Sequence, residues 1–400
     1  MSFLSQSVES PEFPLLESPD YRIAVVPNHP AGLQNRIFAR DLVVNQGWMD
    51  AGIQLHQEAT ARNIEISTID LIPSSAADVI LFIDLPENRS VVERIKSENH
   101  LARLVLLLYE SPAVKPQAFN RRNHSLFDAV ITYNPQLVDG RFYHHFLLPV
   151  GFPPEDFPNP AFGERRLCLM MNTNYYTSPW DLSRPWHWFR RYYQPIQNGW
   201  CLGFREMLKH HKGMLYHRRR TFARAAEQTF PDSSDVFGGN WQGLASGWFR
   251  KFVKEPPYQN YRGSFAADKM TLLQNYRFAF CYENYSSNEG YISEKIFDAL
   301  YAGVVPVYLG DTRVQDYIPP SCFVDARAFK NDIEILHHLG SVPEDAWTKM
   351  REAGKAFVQS HEGSLFQPRY YANTLMDILT REAKLATTGR CLEPRPVDSL

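Results

Sequence analysis

The stretch that most restricts how this chain can fold is residues 275–310, NYRFAFCYENYSSNEGYISEKIFDALYAGVVPVYLG, which reads as strand, polar loop, helix and strand in close succession. The apolar run Phe278–Cys281 predicts a buried strand, Gly303 a helix stop, and Val304–Leu309 a second buried strand. Between them, Ser293 fits the N-cap of a helix over Glu294–Ala302, whose apolar Ile296, Phe297, Leu300 and Tyr301 fall on one face. Glu294 and Lys295 then occupy the first helical turn. There, unpaired backbone N–H groups and the positive dipole end suit an anion such as a diphosphate, with the Lys295 ammonium added. An ordinary amphipathic helix between two core strands meets the same local pattern, with Glu294 a favourable first-turn carboxylate and Lys295 a solvated charge.

The rest of the chain extends this alternation. Short apolar runs at Arg22–Val26, Ile64–Ile69, Val79–Ile83, Leu104–Tyr109, Ala129–Tyr133 and Phe146–Val150 are separated by helix-like stretches such as Asn35–Ala51 and Ser90–Asn99. Strands alternating with helices predict a parallel α/β sheet. A proline-rich stretch, Pro153–Pro160, reads as a boundary. Beyond it a second series follows, with strands at Leu167–Met171, Ser234–Phe237, Arg277–Cys281, Val304–Leu309 and Cys322–Asp325, and helices at His210–Phe230, Ser293–Ala302 and Pro343–Ser360. The expected organisation is a loose arm over 1–20, a Rossmann-like domain over 21–158, a second over 159–382 and a polar tail over 383–400. Two doubly wound domains facing each other across a cleft is the natural architecture, with ligands at the carboxyl ends of the strands.

Composition removes several function classes. A net charge of −2 leaves no electrostatic footprint for nucleic acid. The first residues lack a basic start with an apolar run behind it, and no apolar run reaches membrane-spanning length, so neither a signal peptide nor a transmembrane segment is expected. Five scattered cysteines, none in C-x-x-C spacing, fit reduced thiols of a cytoplasmic protein, with peripheral association at an inner membrane left open. The 13 histidines show no paired ligand pattern, and no metal or cofactor is expected.

The strings Tyr282-Glu283-Asn284, Gly290–Lys295 (GYISEK) and Ala302–Gly310 (AGVVPVYLG) together resemble the signature of the α-1,3/1,4-fucosyltransferase family, glycosyltransferase family 10. The resemblance is tight over 275–310 and loose over most of 100–330. It implies the two-domain GT-B glycosyltransferase fold, with the donor, GDP-fucose, held by the C-terminal half and the acceptor by the N-terminal half. For Asn284, Tyr291, Ser293, Glu294 and Lys295 it implies donor-binding roles.

Transfer from a nucleotide sugar needs stabilisation of the departing diphosphate and a base for the acceptor hydroxyl. No D-x-D motif, the usual metal bridge of the other glycosyltransferase fold, occurs here, so cations are expected to serve. Leu215-Tyr216-His217-Arg218-Arg219 resembles the family's L-Y-x-x-R element, and Asp235–Gly238 with Trp241 resembles its D-hydrophobic-aromatic-G turn. On that match Arg219 grips the diphosphate with a fork that bonds two oxygens at once, Arg218 and Arg220 being its rivals. A solvated basic helix face is the plainer reading of the same run.

The base is expected across the cleft. Glu-Ser-Pro occurs at 9–11, 17–19 and 110–112, and only Glu110 follows a predicted strand. It resembles the family's E-S-P element, where the glutamate is taken as general base. Some bacterial members carry their proposed base two residues earlier, where this chain has Leu108, so Glu110 is the local carboxylate. The alternative for Glu110 is a structural surface carboxylate. Tyr261-Arg262-Gly263 with Lys269 resembles a further family stretch but reads as a turn. The aromatic run 180–200, including Trp186, Trp188, Tyr192 and Tyr193, fits sugar stacking or, more simply, a packed helix face.

The expectation is therefore an inverting, metal-independent α-1,3-fucosyltransferase. It would move L-fucose from GDP-β-L-fucose to O3 of a GlcNAc-containing oligosaccharide or glycoconjugate acceptor, with Glu110, Arg219 and Lys295 as catalytic groups. Another GT-B transferase using a different nucleotide sugar, or a non-catalytic glycan-binding protein, are the alternatives. Acceptor-binding residues are not singled out by the sequence.

Overall fold

The computed structural model describes residues 16–40, 46–158, 160–174, 189–241, 257–264 and 268–388. The arm up to residue 15, the tail beyond 388, and Trp180, Trp186 and Trp188 lie outside the described residues.

The first sheet contains β1 (Tyr21–Val26), β2 (Ile64–Thr68), β3 (Val79–Ile83), β4 (Arg103–Leu107), β5 (Ala129–Thr132) and β6 (Tyr143–His145), all parallel, in the order β2-β1-β3-β4-β5-β6. The second contains β7 (Arg166–Met171), β8 (Ser234–Phe237), β9 (Tyr276–Tyr282), β10 (Val305–Leu309) and β11 (Val324–Asp325), again parallel, in the order β11-β10-β9-β7-β8. Around them lie α1 (Gln46–Ala61), α2 (Arg89–Glu98), α3 (Phe204–Gly213), α4 (Tyr216–Thr229), α5 (Glu294–Tyr301), α6 (Asp332–Ser341), α7 (Glu344–Val358) and α8 (Pro368–Thr387). Each sheet thus begins in the middle, steps to one side, then crosses back and continues the other way. The reversal points lie between β1 and β3 and between β7 and β9, and ligands of open α/β sheets bind outside the strand ends at such points.

Central strands are apolar throughout because both faces are covered. In β3 and β4, Val79, Leu81, Ile83, Val105 and Leu107 enter one core, while Ile80, Phe82, Leu104 and Leu106 enter another on the opposite face. In the second sheet, Phe278 and Phe280 face one core and Ala279 and Cys281 the other. This is the architecture expected, two Rossmann-like units each built on a parallel sheet. No helix among the described residues is long and apolar enough to cross a membrane.

Four expectations are corrected. The helix expected over Asn35–Ala51 runs instead over Gln46–Ala61. Asn35 is held in the left-handed region at φ 59°, where its side-chain oxygen accepts the Thr68 N–H at 2.8 Å and ties the chain to the end of β2. The strand expected at Phe146–Val150 is Tyr143–His145. The later residues are buried, but Pro149 has no N–H to give a ladder, so apolarity there marks a core strap. The helix expected over His210–Phe230 is two helices, parted at Met214–Leu215. A Cβ on Gly213 would fall 2.2 Å from the Tyr285 ring, and Met214 makes a backbone bridge to Tyr285.

The fourth correction concerns the second domain's extent, expected as 159–382. Helix α8 returns to the first sheet: Tyr371, Ala372, Leu375, Met376, Leu379 and Ala383 share a core with Val25, Val105 and Ala51 and Leu55 of α1. The Arg103 guanidinium, on β4, donates to Glu382 Oε2 from Nε at 2.9 Å and Nη2 at 2.7 Å, both side chains buried. Packing overrides sequence proximity, because the apolar face of α8 finds its complement beside α1. Trp200 also crosses back, buried in the first domain's core with its indole N–H on the Pro86 carbonyl at 3.0 Å. Trp200 and Tyr192 therefore pack into cores, whereas Tyr193 is exposed.

Candidate active site

The residues expected to hold the donor gather around the start of α5. Its N-cap is Ser293, as the sequence predicts, and the anion found there belongs to the chain itself. Glu283, fully buried at the end of β9, accepts the Ser293 N–H at 2.8 Å, the Ser293 hydroxyl at 2.8 Å and the Lys295 ammonium at 3.1 Å. Lys295 also donates to Ser293 Oγ at 2.9 Å. An ammonium has three N–H donors, so two are committed and one is left for a ligand oxygen. Burial works against the Lys295 charge, but Glu283 and Glu294 outweigh it and hold the ammonium above its usual range. Glu294 in turn is held below the usual carboxylate range: burial opposes its charge, and Lys295 and Lys269 prevail.

Arg219 reaches the same place from α4. Its side chain is buried, with Nη1 donating to the Thr173 carbonyl at 3.1 Å and Nη2 to the Tyr282 carbonyl at 3.0 Å and Asn284 Oδ1 at 2.8 Å. Thr173 follows β7 and Tyr282 ends β9, so the guanidinium spans the reversal point of the second sheet. Its carbon lies 4.8 Å from the centre of the Tyr216 ring. Arg218 turns away, paired with Asp332 at 2.9 Å, and Arg220 lines a groove with Arg224 and Asn331. Of the three rival arginines, the fold brings Arg219 to Tyr282 and Asn284, beside Glu283.

Across the cleft Glu110 follows β4. Burial raises its carboxyl to about 7, and Asp84 and Glu294 add to the rise while Lys115 and Lys295 oppose it. Lys295 and Glu294, in the first turn of α5, are thus among the charges that act on Glu110. Tyr291 completes the connection: its ring lies 5.2 Å from that of Tyr133, whose hydroxyl meets the Glu110 carbonyl at 3.3 Å. Tyr291, from the second domain's loop, is buried in the first domain's core, so it is an interdomain plug. Gly290 beside it has φ +85°, and a Cβ there would stand 2.7 Å from the Tyr133 carbonyl oxygen. Only glycine permits that approach.

Several residues in the cluster carried no sequence signal. Asp311, fully buried, accepts the N–H groups of Glu289 at 2.9 Å and Gly290 at 2.8 Å and the Ser287 hydroxyl at 2.7 Å, shaping the loop that delivers Tyr291. Asp84 accepts the N–H groups of Tyr109 at 2.8 Å and Glu110 at 3.1 Å. At the exit of β7, Asn174 is fully buried with neither side-chain polar atom bonded among the described residues, and the Asn172 amide nitrogen is likewise unbonded. A polar residue one to three places beyond a predicted strand end is the signal available for Asp84, Asn172 and Asn174, and it is too common to use alone.

The other motif residues have structural partners. Arg262 pairs with Asp235 at 2.7 Å, Lys269 with Asp298, and the Trp241 indole N–H meets the Asn172 carbonyl at 2.6 Å. Gly238, at φ +125°, lies so close to that carbonyl that a Cβ would approach it to 2.3 Å.

Residues 257–351 match the model for glycosyltransferase family 10 (fucosyltransferase), C-terminal part. An alpha-(1,4)-fucosyltransferase of Arabidopsis thaliana is 34% identical over 73 residues, covering 18% of each chain. The alpha-(1,3)-fucosyltransferase FucT of Helicobacter pylori is 33% identical over 81 residues, 20% of this chain and 17% of that one. The match thus spans about a fifth of the length of these curated relatives. A crystal structure of an alpha1,3-fucosyltransferase with GDP-fucose superposes over 92% of this chain and 93% of its own, at TM-score 0.48 and 17% identity. Glu283, Asn284, Tyr291, Ser293, Glu294 and Lys295 all lie inside the residues that match this family model.

Proposed function

We propose that this protein is an inverting fucosyltransferase that moves L-fucose from GDP-β-L-fucose to O3 of a GlcNAc-containing acceptor, forming an α-1,3 linkage. One observation supports the reading: Arg219 and Lys295, two buried cations at the strand ends of the second sheet, and Glu110, a first-domain carboxyl raised to about 7 that feels the charges of Lys295 and Glu294. In the proposed step the acceptor hydroxyl oxygen attacks the anomeric carbon of fucose as the bond from that carbon to the β-phosphate oxygen breaks. The hydroxyl proton passes to Glu110, and GDP departs with its new charge facing the cations. A carboxylate near 7 is a stronger base than an ordinary one yet is largely ionised just above neutrality. Preorganised cations held by Glu283 and by backbone carbonyls need no rearrangement when charge develops on the diphosphate.

On this reading the leaving group is stabilised without a metal, and Glu294 and Asn284 bond the sugar and ribose hydroxyls. The acceptor lies on the first domain's side, and the protein works in the cytoplasm. The test is transfer from GDP-fucose to an N-acetyllactosamine acceptor with and without chelator, with linkage analysis of the product. An α-1,3 product resistant to chelation supports the proposal. Binding of a UDP-sugar in preference to GDP-fucose would assign the site to a different donor, and glycan binding without any transfer would assign it to recognition alone.

A further inference from the structure

Asp84 stands behind Glu110 in a way the proposed step does not use. It follows β3, at the reversal point of the first sheet, and is 1% exposed. Its backbone is in the left-handed region at φ 59°, an uncommon state for a residue other than glycine, asparagine or aspartate. That turn is pinned by the Asp84 N–H on the Leu107 carbonyl at 2.8 Å, and it aims the carboxylate at the start of the next loop. There Oδ1 accepts the N–H groups of both Tyr109 and Glu110, with the Asn28 side chain as a further donor. Lys115 lies nearby with its ammonium on the Leu85 carbonyl at 2.9 Å.

The two carboxyls are therefore unlike. Asp84 is buried and anchored by several N–H donors, each favouring its ionised form. Glu110 receives no side-chain hydrogen bond from any described residue and lies half-buried at the cleft. Two neighbouring carboxyls separate into one that keeps its charge and one that takes a proton, the hydrogen-bonded member keeping the charge. Burial raises the Asp84 carboxyl above the ordinary carboxylate range, and Lys115 and the N–H groups of Glu110 and Tyr109 limit that rise.

We propose that Asp84 is a positioning residue of the transfer reaction, fixing the Glu110 backbone at the cleft edge and, through its buried negative charge, making Glu110 the member of the pair that receives the acceptor proton. This deepens the reading of Glu110 as base and rests on it. The groups facing Glu110 are Asp84 and Lys115 on its own side, Lys295 and Glu294 from α5, and the Tyr109, Tyr133 and Tyr291 phenols. All three phenols are pushed further above their ordinary range by burial, and so remain neutral around pH 7. Among these groups Asp84 and Glu294 raise the proton affinity of Glu110, and Lys115 and Lys295 lower it.

The experiment compares pH profiles of kcat/KM for the full chain, Asp84→Asn, Asp84→Ala and Glu110→Gln, using GDP-fucose and an N-acetyllactosamine acceptor, with the Kd of GDP measured for each. Asn keeps an oxygen for the Tyr109 and Glu110 N–H groups but removes the charge. The expected result is that the acid limb of Asp84→Asn moves to lower pH by roughly one unit and its plateau falls by about tenfold, with GDP affinity unchanged. Asp84→Ala is expected to lose more activity by losing the backbone bonds too. An Asp84→Asn profile with the wild-type limb at any activity overturns the electrostatic role, as does an unfolded Ala variant beside a fully wild-type Asn variant. If instead Glu110→Gln keeps wild-type transfer, the base reading itself fails, and it fails independently of what Asp84→Asn does.

Discussion

Glu283 Oε2 lies 3.1 Å from Lys295 Nζ, and that carboxylate, with no exposed surface, also receives the Ser293 N–H and hydroxyl. A single buried anion thus fixes the α5 N-cap residue and orients the Lys295 ammonium. Glu283→Gln keeps the shape and removes the charge, so the ammonium loses its fixed partner. The expected outcome is a fall in kcat of at least about tenfold, with a weaker effect on acceptor KM, read from steady-state transfer kinetics.

Arg219 and Arg218 adjoin in sequence and differ in surroundings. Arg219 is tied to the Thr173 and Tyr282 carbonyls and to Asn284, whereas Arg218 pairs with Asp332. Arg219→Lys loses the planar fork and is expected to cost about 100-fold in kcat/KM. Arg218→Ala is expected to lower the melting temperature while leaving kcat/KM within a few-fold. Equal losses of activity in the two variants would refute the assignment.

The Glu110 carboxyl, raised by burial to about 7 from an ordinary 4.5, binds a proton more readily folded than unfolded. Between those two values the native state holds more protons, so this residue's contribution to stability is full below pH 4.5 and is lost as pH rises through 7. Glu110→Gln should therefore stabilise the protein above pH 7, by on the order of 1–3 kcal/mol, and not at pH 4.5. Denaturant melts at the two pH values check this, while wild-type activity should rise across the same window as the base ionises.

Arg103 and Glu382 join β4 to the last helix with both side chains buried. Removing Glu382 leaves the buried Arg103 with only the longer contact to Asp128 at 3.5 Å, so Glu382→Ala is expected to cost about 3 kcal/mol in urea unfolding. Because α8 covers the same face as α1, hydrogen exchange should rise in both helices together. An unchanged midpoint would show that apolar packing alone holds α8.

Asn174 buries an amide whose two polar ends are unbonded among the described residues, next to the Thr173 carbonyl that holds Arg219. Leaving such groups unpaired costs about 1–3 kcal/mol each, a cost that a bound nucleotide would offset. Asn174→Ala is expected to weaken GDP binding by about tenfold or more in calorimetry without lowering the melting temperature of the free protein. A lower melting temperature with unchanged GDP affinity would assign the amide to the fold instead.

Much of this architecture was legible locally. Val79–Ile83 and Ser234–Phe237 occupy the strands expected, and the helix start at Ser293 is where its cap chemistry puts it. Covered parallel strands need uninterrupted apolar runs, and a helix start needs a side-chain acceptor, so both leave local traces. Phe146–Val150 misled because burial without a ladder looks the same in sequence as burial within one. Helix α1 was displaced because the turn at Asn35 is stabilised by Thr68, a partner more than thirty positions away.

The sequence by itself determined the two alternating series of strands and helices, the signature over 275–310 and the residue types able to bind a diphosphate. Tertiary structure decided which arginine faces that signature, that Glu283 holds the α5 N-cap residue Ser293, that Asp84 backs Glu110, and that α8 belongs with the first sheet. Apolar period and cap chemistry act over a few residues and are written in their order. Charge pairing, desolvation and the packing of one helix on another depend on distances that exist only after the chain has crossed between its two sheets.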